Sequence, residues 1–227
     1  MKKIGFIGAY DKTDLILYIA KILVETGKSV LIVDTTIIQK ARYIVPSIAP
    51  SKSYVTEFEK IDVAIGFDDL NDIKNYLAND NLEYDFVLID IDDNKHFQKM
   101  EMEKAYKNYF VTGFDNYSLK RGLDAIGKMQ DKILMTKVLF SQEMLQEEDD
   151  YLNFLSFYYS VRWDNKKIYF PYDTEDNSAI IENQRIARIR FKNLSDTFKQ
   201  GLYSISEDIL QDDSKGEIKK IIFKRGE

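Results

Sequence analysis

A doubly wound, mainly parallel α/β sheet flanked by helices is the fold class this sequence predicts, and three observations predict it. β-prone and helix-like runs alternate from the first residue, in the order βαβ…αβ…βαβ…β…α. Two strand-like runs, "SVLIVD" (29–34) and "YDFVLIDID" (84–92), are almost unbroken apolar stretches, as expected of strands covered on both faces. Both end in aspartates, where open α/β sheets gather ligand-binding groups.

The elements follow in order. "KIGFIGA" (3–9) is short, apolar and β-prone. "TDLILYIAKILVETG" (13–27) sets Leu15, Ile16, Ile19, Ile22 and Leu23 at helical spacing and ends on Gly27. After 29–34 comes a less regular region with Pro46 and Pro50, then "SYVTEFEKIDVAIGF" (53–67), a strand or hairpin. "DDLNDIKNYLAND" (68–80) reads as a helix started by an aspartate cap. "NYFVTG" (108–113) is a strand followed by the helix "YSLKRGLDAIGKM" (117–129). "KILMTKVLF" (132–140) and the short "KKIYFPYD" (166–173) are later strands. "NLSDTFKQGLYSISEDIL" (193–210) is the last long helix.

Composition bounds the class. The chain has 227 residues, enough for one domain with a full core, and 44% hydrophobic with 31% charged residues fit a soluble globular protein. With no cysteine, disulfides and thiolate metal sites are excluded, and a cytoplasmic location is expected. No signal peptide is evident after "MKK", and no apolar run approaches the roughly 20 residues of a membrane span. A net charge of −6 argues against wholesale nucleic-acid binding, though not against a local basic patch. The single histidine, His96, reads as a surface or helix-start residue.

The chemistry concentrates in "GAYDKTD" (8–14), a strand-to-helix turn carrying a Lys-Thr pair. A phosphate loop works by aiming backbone N–H groups at the N-terminus of a helix, and it needs a metal-associated carboxylate nearby. Asp34 and Asp90, with Asp92 and Asp93, end strands where such carboxylates sit. The competing reading is structural: Asp11 as an N-cap with Asp14 three residues on, close to a capping box, and Lys12 neutralising Asp11 or reaching toward Asp90.

These motifs resemble, in order and spacing, the ParA/MinD-like P-loop ATPases with their deviant Walker A motif, K-G-G-x-G-K-[ST]-T. "IGAYDKTD" takes that motif's place, "TGKSVLIVD" matches the family's second strand, "YDFVLID" its Walker B strand and "FPYD" (170–173) its late element. The resemblance implies a P-loop NTPase fold over residues 1–211 with a short tail over 212–227. It implies a nucleotide loop of Gly8, Ala9, Tyr10, Asp11, Lys12, Thr13 and Asp14. It also implies Mg held by Thr13 and Asp90, Asp34 as the catalytic acid of an active enzyme, and ATP or ADP as cofactor.

The sequence departs from that pattern where the pattern matters most. The family's first lysine aligns with Ile7, the glycine before the second lysine with Asp11, the second acid after Asp34 with Thr36, and an adenine-contacting asparagine with Thr136. Asp11 adds a β-carbon and a negative charge near the place of a phosphate. Like charges about 4 Å apart cost about 4 kcal/mol at an effective dielectric near 20. A degenerate Walker A motif, with nucleotide hydrolysis weak or lost and the cofactor itself in question, is therefore expected.

Two further segments carry charge patterns. "SKGEIKKIIFKRGE" (214–227) sets Ile218, Ile221, Ile222 and Phe223 among Lys215, Lys219, Lys220, Lys224 and Arg225, the composition of an interfacial membrane anchor or of a last strand or helix packed on its own domain or a partner's. It resembles the membrane-targeting tail of MinD-type proteins. "NQRIARIRFKN" (183–193) holds Arg185, Arg188, Arg190 and Lys192, a DNA-binding candidate by the same resemblance. Its plain alternative is a solvated helix face paired with Glu175, Asp176 and Glu182. The expected protein is a homodimeric positioning or assembly factor recruiting a membrane-associated machine, peripheral to the inner face of the membrane. The alternative is an active ATPase cycling between ATP-bound dimer and monomer.

Overall fold

The structure is a computed structural model that describes residues 1–47, 51–127, 131–141, 146–211 and 215–223, with the backbone alone for 146–148. Pro50, Lys128, Met129, the start of the tail (212–214) and Lys224 with Arg225 lie outside the described residues. The first half runs β1 (Lys2–Ile7), α1 (Thr13–Glu25), β2 (Val30–Asp34), α2 (Ala41–Ile44), β3 (Tyr54–Phe58), β4 (Ile61–Ile65), α3 (Leu70–Leu77) and β5 (Phe86–Ile91). There follow α4 (Asn94–Lys99), β6 (Lys107–Thr112), α5 (Asn116–Ile126), β7 (Ile133–Ser141) and α6 (Gln146–Leu155). The chain ends on β8 (Val161–Pro171), α7 (Thr174–Arg185), α8 (Asp196–Leu210) and α9 (Lys215–Phe223).

The eight strands form one sheet in the order β3-β4-β2-β5-β1-β6-β7-β8. All neighbours are parallel except β3, which pairs antiparallel with β4. That pair is the expected hairpin over 53–67. Its two turn residues, Glu59 and Lys60, both take positive φ (55° and 67°), the turn hand that matches strand twist. The two apolar runs read from the sequence become β2 and β5, whose side chains are buried throughout, and they pair in register so that Asp34 lies beside Asp90.

Helices cover both faces. On one, Ile16, Ile19 and Leu23 of α1 pack with Phe198, Leu202 and Ile205 of α8 and with Ile218 and Ile222 of α9. On the other, Ile73 of α3, Phe97 of α4, Leu119 and Leu123 of α5 and Leu152 of α6 close over Leu31, Val87 and Leu139. Side-chain caps set several helix starts: Asp69, Asp93, Asp115, Asp173 and Ser195 each accept a first-turn N–H. Ser195 is the reason the last long helix opens at residue 196 rather than 193.

Four helices, α2, α4, α6 and α7, have no counterpart in the sequence reading, and α2 is only four residues long. α4 is only six residues long, and α6 and α7 open on acidic, weakly periodic stretches ("QEEDD", "TED"). The late strand is longer than the expected 166–173, because β8 pairs with β7 from Val161 onward across an irregularity between Met135 and Lys137. Among the described residues, no helix is long and apolar enough to cross a membrane.

Candidate functional site

Parallel strands bring the turn after β1, the ends of β2 and β5, and the start of α1 to one edge of the sheet. Gly8 opens the turn at φ +144°, and a Cβ there would stand 2.1 Å from the Val111 carbonyl oxygen. Both facts demand glycine. Gly8→Ala is expected to cost about 2–3 kcal/mol or more, read as a lowered urea midpoint with unchanged slope. Next in the turn, the Tyr10 ring stacks on Phe140 at 4.6 Å and lies against Tyr172. It passes over Gly113, where any Cβ would meet the Tyr172 hydroxyl at 2.4 Å. The turn is thus pinned by an aromatic plug that spans β7 and β8.

Lys12 is almost wholly buried. Its ammonium donates to the Gly8 carbonyl at 2.7 Å and lies 2.7 Å from Asp90 Oδ1. The second contact is an ion pair without hydrogen-bond alignment, since that oxygen has no hydrogen-bond partner among the described residues. Burial pushes the Asp90 carboxyl up to about 7 against the pull of Lys12, and the Asp34 charge adds to the rise. The folded state therefore holds a proton that the unfolded chain has already released, and stability falls as pH rises from about 4 to about 7. In Asp90→Asn the slope should become shallower by the share Asp90 contributes, whatever constant offset the lost ion pair introduces. Parallel slopes of unfolding free energy against pH for the two proteins would contradict this.

Asp11 is not the N-cap that the sequence suggests. Lys12 holds that position with no side-chain cap, and Asp14 falls inside the first turn. The Asp11 carboxylate instead accepts the Thr13 N–H at 3.2 Å, closing a turn across Lys12. Its other oxygen pairs with Lys40, whose ammonium also reaches Asp14 at 3.2 Å. Asp14 in addition accepts from the Gln184 amide at 2.8 Å. Burial works against the Lys40 charge, but Asp14 and Asp11 outweigh it and hold its pKa above the ordinary lysine value. Asp14 is shifted up, by burial first and against Lys40 and Gln184.

Asp34 is buried and occupied by its own segment. One oxygen accepts from the Thr36 N–H (3.0 Å) and hydroxyl (2.6 Å), the other from the Ala41 N–H (3.1 Å). Asp92 accepts from the Ile37 N–H at 3.2 Å, and Asp93 caps α4 through the His96 N–H. Ile7, at the place of the family's first lysine, is fully buried in the core.

The structure therefore brings Gly8, Ala9, Tyr10, Asp11, Lys12, Thr13 and Asp90 around one hollow, with Thr36, Ile38, Lys40 and Asp92. It holds about 130 Å³, against roughly 300 Å³ at the small end of ligand pockets. The Thr13 N–H and the Lys12 ammonium, the groups a phosphate would use, both have protein partners. As arranged, the hollow is smaller than such a pocket and these two donors are already engaged. Among the described residues, no cluster of three metal-binding side chains occurs.

Thr136 does not belong to this site. It sits in the first half of β7 and lines a cleft at the opposite edge of the sheet with Asp164, whereas β7 ends beside the turn at Phe140 and Ser141. Lys40 went unread in the sequence. The only available signal was its place as the lone cation between Asp34 and Ala41.

Of the basic residues, only Arg185 is helical, closing α7. Arg188, Arg190 and Lys192 lie in the irregular stretch that follows, and all four are exposed. Arg188 pairs with Glu59 at 3.1 Å rather than with neighbouring acids, and Asp176 is buried, accepting from the Ser195 N–H and hydroxyl. In the tail, Ile218 and Ile222 are buried against α1 and α8, and Ile221 is partly buried beside them. Phe223 alone of the four anchor candidates stands at the surface, 36% exposed. Packing on its own domain is the arrangement this helix adopts.

No protein-family model matches the chain, and no curated protein sequence matches it significantly. Solved structures do match in shape. A ParA family ATPase from Chlorobium tepidum aligns at TM-score 0.57 and 14% identity, over 88% of this chain and 96% of that one. The MinC:MinD cell division protein complex of Aquifex aeolicus aligns at 0.58 and 15%, over 94% and 97%. A putative plasmid partition protein of Borrelia burgdorferi bound to AMPPNP aligns at 0.58 and 11%, over 92% and 99%. At such identities the likeness is one of fold, and the chain shares the doubly wound α/β fold of these ParA/MinD-family structures.

Proposed function

We propose that this chain is a ParA/MinD-type positioning or assembly protein whose nucleotide site no longer drives hydrolysis. The observation that carries the reading is the Asp11 carboxylate, seated on the Thr13 N–H where a phosphate oxygen would lie and tied to α2's approach through Lys40. Lys12, turned onto Gly8 and Asp90, supports it. A fold kept while its loop is filled by its own side chains suits a role in partner binding. The neighbours named for cell division and plasmid partition suggest that role: dimerisation and recruitment of a membrane- or DNA-associated machine. A membrane contact of the tail would rest on Phe223, and DNA contact on Arg185, Arg190 and Lys192.

The second reading is an active ATPase, favoured by the convergence of Lys12, Thr13, Asp34 and Asp90 on one edge. Thr13 and Asp90 would then hold Mg beside ATP, with Asp34 as the catalytic acid. Calorimetry and phosphate-release assays with ATP and Mg²⁺ separate the two. The first reading expects no turnover, with partner binding unaffected by Lys12→Ala. Hydrolysis abolished by that substitution would replace it with the second.

A further inference from the structure

Residues 36–40, between β2 and α2, wall the hollow at the nucleotide loop through Thr36, Ile38 and Lys40. None of the five side chains is buried, and Ile37 and Ile38 are 66% and 75% exposed. The stretch has no apolar anchor of its own, although β2 before it is buried throughout and Ala41 after it is buried too. Its backbone is also bent against preference. Gln39 sits at φ +51°, in the left-handed region that a β-carbon makes costly. Segments of this kind belong to the low-stability end of a fold and open without the rest.

Polar contacts hold it instead, and they are of two kinds. Asp34 accepts from the Thr36 N–H and hydroxyl, and the Thr36 hydroxyl accepts from the Gln39 N–H at 3.0 Å. Those bonds fold the stretch on its own root at the end of β2. Two contacts reach other parts of the molecule: the Ile37 N–H on Asp92, after β5, and the Lys40 ammonium on Asp11 and Asp14. Lys40 thus ties the stretch to the loop and to the first turn of α1. Both ends of the stretch are firm. Thr35 donates twice to the Asp90 carbonyl, at 3.1 and 2.7 Å, and the Ala41 N–H is held by Asp34.

We infer that residues 36–40 form a strap, latched shut over the loop by Lys40 and swinging open between Thr35 and Ala41. Shut, it leaves the hollow of about 130 Å³ beside Lys12 and Thr13. Open, it takes Thr36, Ile38 and Lys40 out of the wall, and the hollow widens. Lys40 and Asp11 are both partly exposed, so the latch is weak and yields to salt as a buried pair would not. Lys40 is therefore a positioning residue, acting on the site through the strap. This regulation rests on the function proposed above, since the carboxylate that Lys40 grips is the one placed there in a phosphate's stead.

Amide hydrogen exchange of the full chain without nucleotide tests the latch. The Ile37 and Gln39 amides should exchange faster than those of Ile32 and Val33 in β2. Lys40→Met keeps the stem and removes the charge. At low salt it should speed exchange at Ile37 and Gln39 about two- to fivefold, the worth of an ion pair this exposed. Ile32, Val33 and Ile16 of α1 should not change, and Lys40→Arg should restore the wild-type rates. Raising salt from about 0.05 to about 1 M should speed the strap amides of the wild type and not those of Lys40→Met. Strap amides as slow as those of β2 overturn the inference, because the stretch then opens only with the whole fold. Equal strap exchange in the wild type and Lys40→Met also overturns it, leaving Asp34 and Asp92 as the holders. So does a rise that spreads to β2 and α1, which makes Lys40 an ordinary stabilising contact. Phosphate release from ATP, measured on the same samples, keeps the two readings apart. Turnover with a strap that loosens in Lys40→Met overturns the proposed function alone. No turnover with a strap that ignores Lys40→Met overturns the latch alone.

Discussion

Asp149→Ala should lower the free energy of unfolding by about 3–5 kcal/mol, the range for removing one partner of a buried ion pair. Asp149, on α6, is 2% exposed and holds two lysines: Lys137 of β7 at 2.5 Å and Lys167 of β8 at 2.5 Å. Lys137 is itself 1% exposed, donates to Asn153 at 2.6 Å and lies 5.0 Å from the centre of the Trp163 ring. Burial lowers the Lys137 pKa, and Asp149 opposes that fall. Burial raises the Asp149 pKa first, but the two lysines outweigh it and hold the carboxyl below its ordinary value. Without the carboxylate, a buried ammonium keeps Asn153, the indole face and the weaker pull of the Asp150 charge. The loss is read as a lower urea midpoint and as earlier hydrogen exchange in α6. The double replacement Asp149→Leu with Lys137→Met should recover most of it, because well-packed apolar groups substitute for buried charge pairs at little or no cost. A double variant as unstable as the single one would place the energy in α6 packing rather than in the charges.

The second large effect concerns the loop. Asp11→Gly should raise the affinity for ATP with Mg²⁺ by about tenfold or more, because it frees the Thr13 N–H and removes a negative charge from the place of a phosphate. At 4 Å and an effective dielectric near 20 the charge alone is worth about 4 kcal/mol. The Asp11 side chain is 52% exposed and shares Lys40, so solvent screening reduces that figure to about 1–2 kcal/mol. Calorimetry on the wild type, on Asp11→Gly and on Asp11→Gly with Lys12→Ala checks it. The third protein should lose whatever the second gains. Equal affinities in the wild type and Asp11→Gly would show that the carboxylate is no obstacle, and the active-ATPase reading would then gain.

Much of the fold was legible because a parallel sheet leaves a strong trace in sequence. Strands buried on both faces must be apolar throughout, so "VLIVD" and "FVLIDI" declare themselves. α1 does so by its periodicity, and the hairpin by its length. The end of each strand is fixed with the strand, so Asp34, Asp90 and the Lys12-Thr13 turn could be assigned to one edge before any coordinates. α6 and α7 left little trace, since what holds them is tertiary. Asp149 reaches Lys137 and Lys167 across the sheet, and Asp176 is held by Ser195.

Within the site the division is the same. The sequence by itself determined which groups could meet: an aspartate where a phosphate loop wants glycine, a lysine and threonine after it, and acids at two strand ends. Only the tertiary structure decided their pairing. Lys12 turns to Asp90 and the Gly8 carbonyl, Asp11 closes on Thr13, Lys40 arrives from beyond β2, and the isoleucines of α9 go inward. Periodicity and strand ends are local properties that each residue carries with it. Which buried charge neutralises which, and which side of a short basic helix meets the core, depend on residues far apart in the chain. Folding brings them within a few ångströms, and in that desolvated space a charge must find a partner.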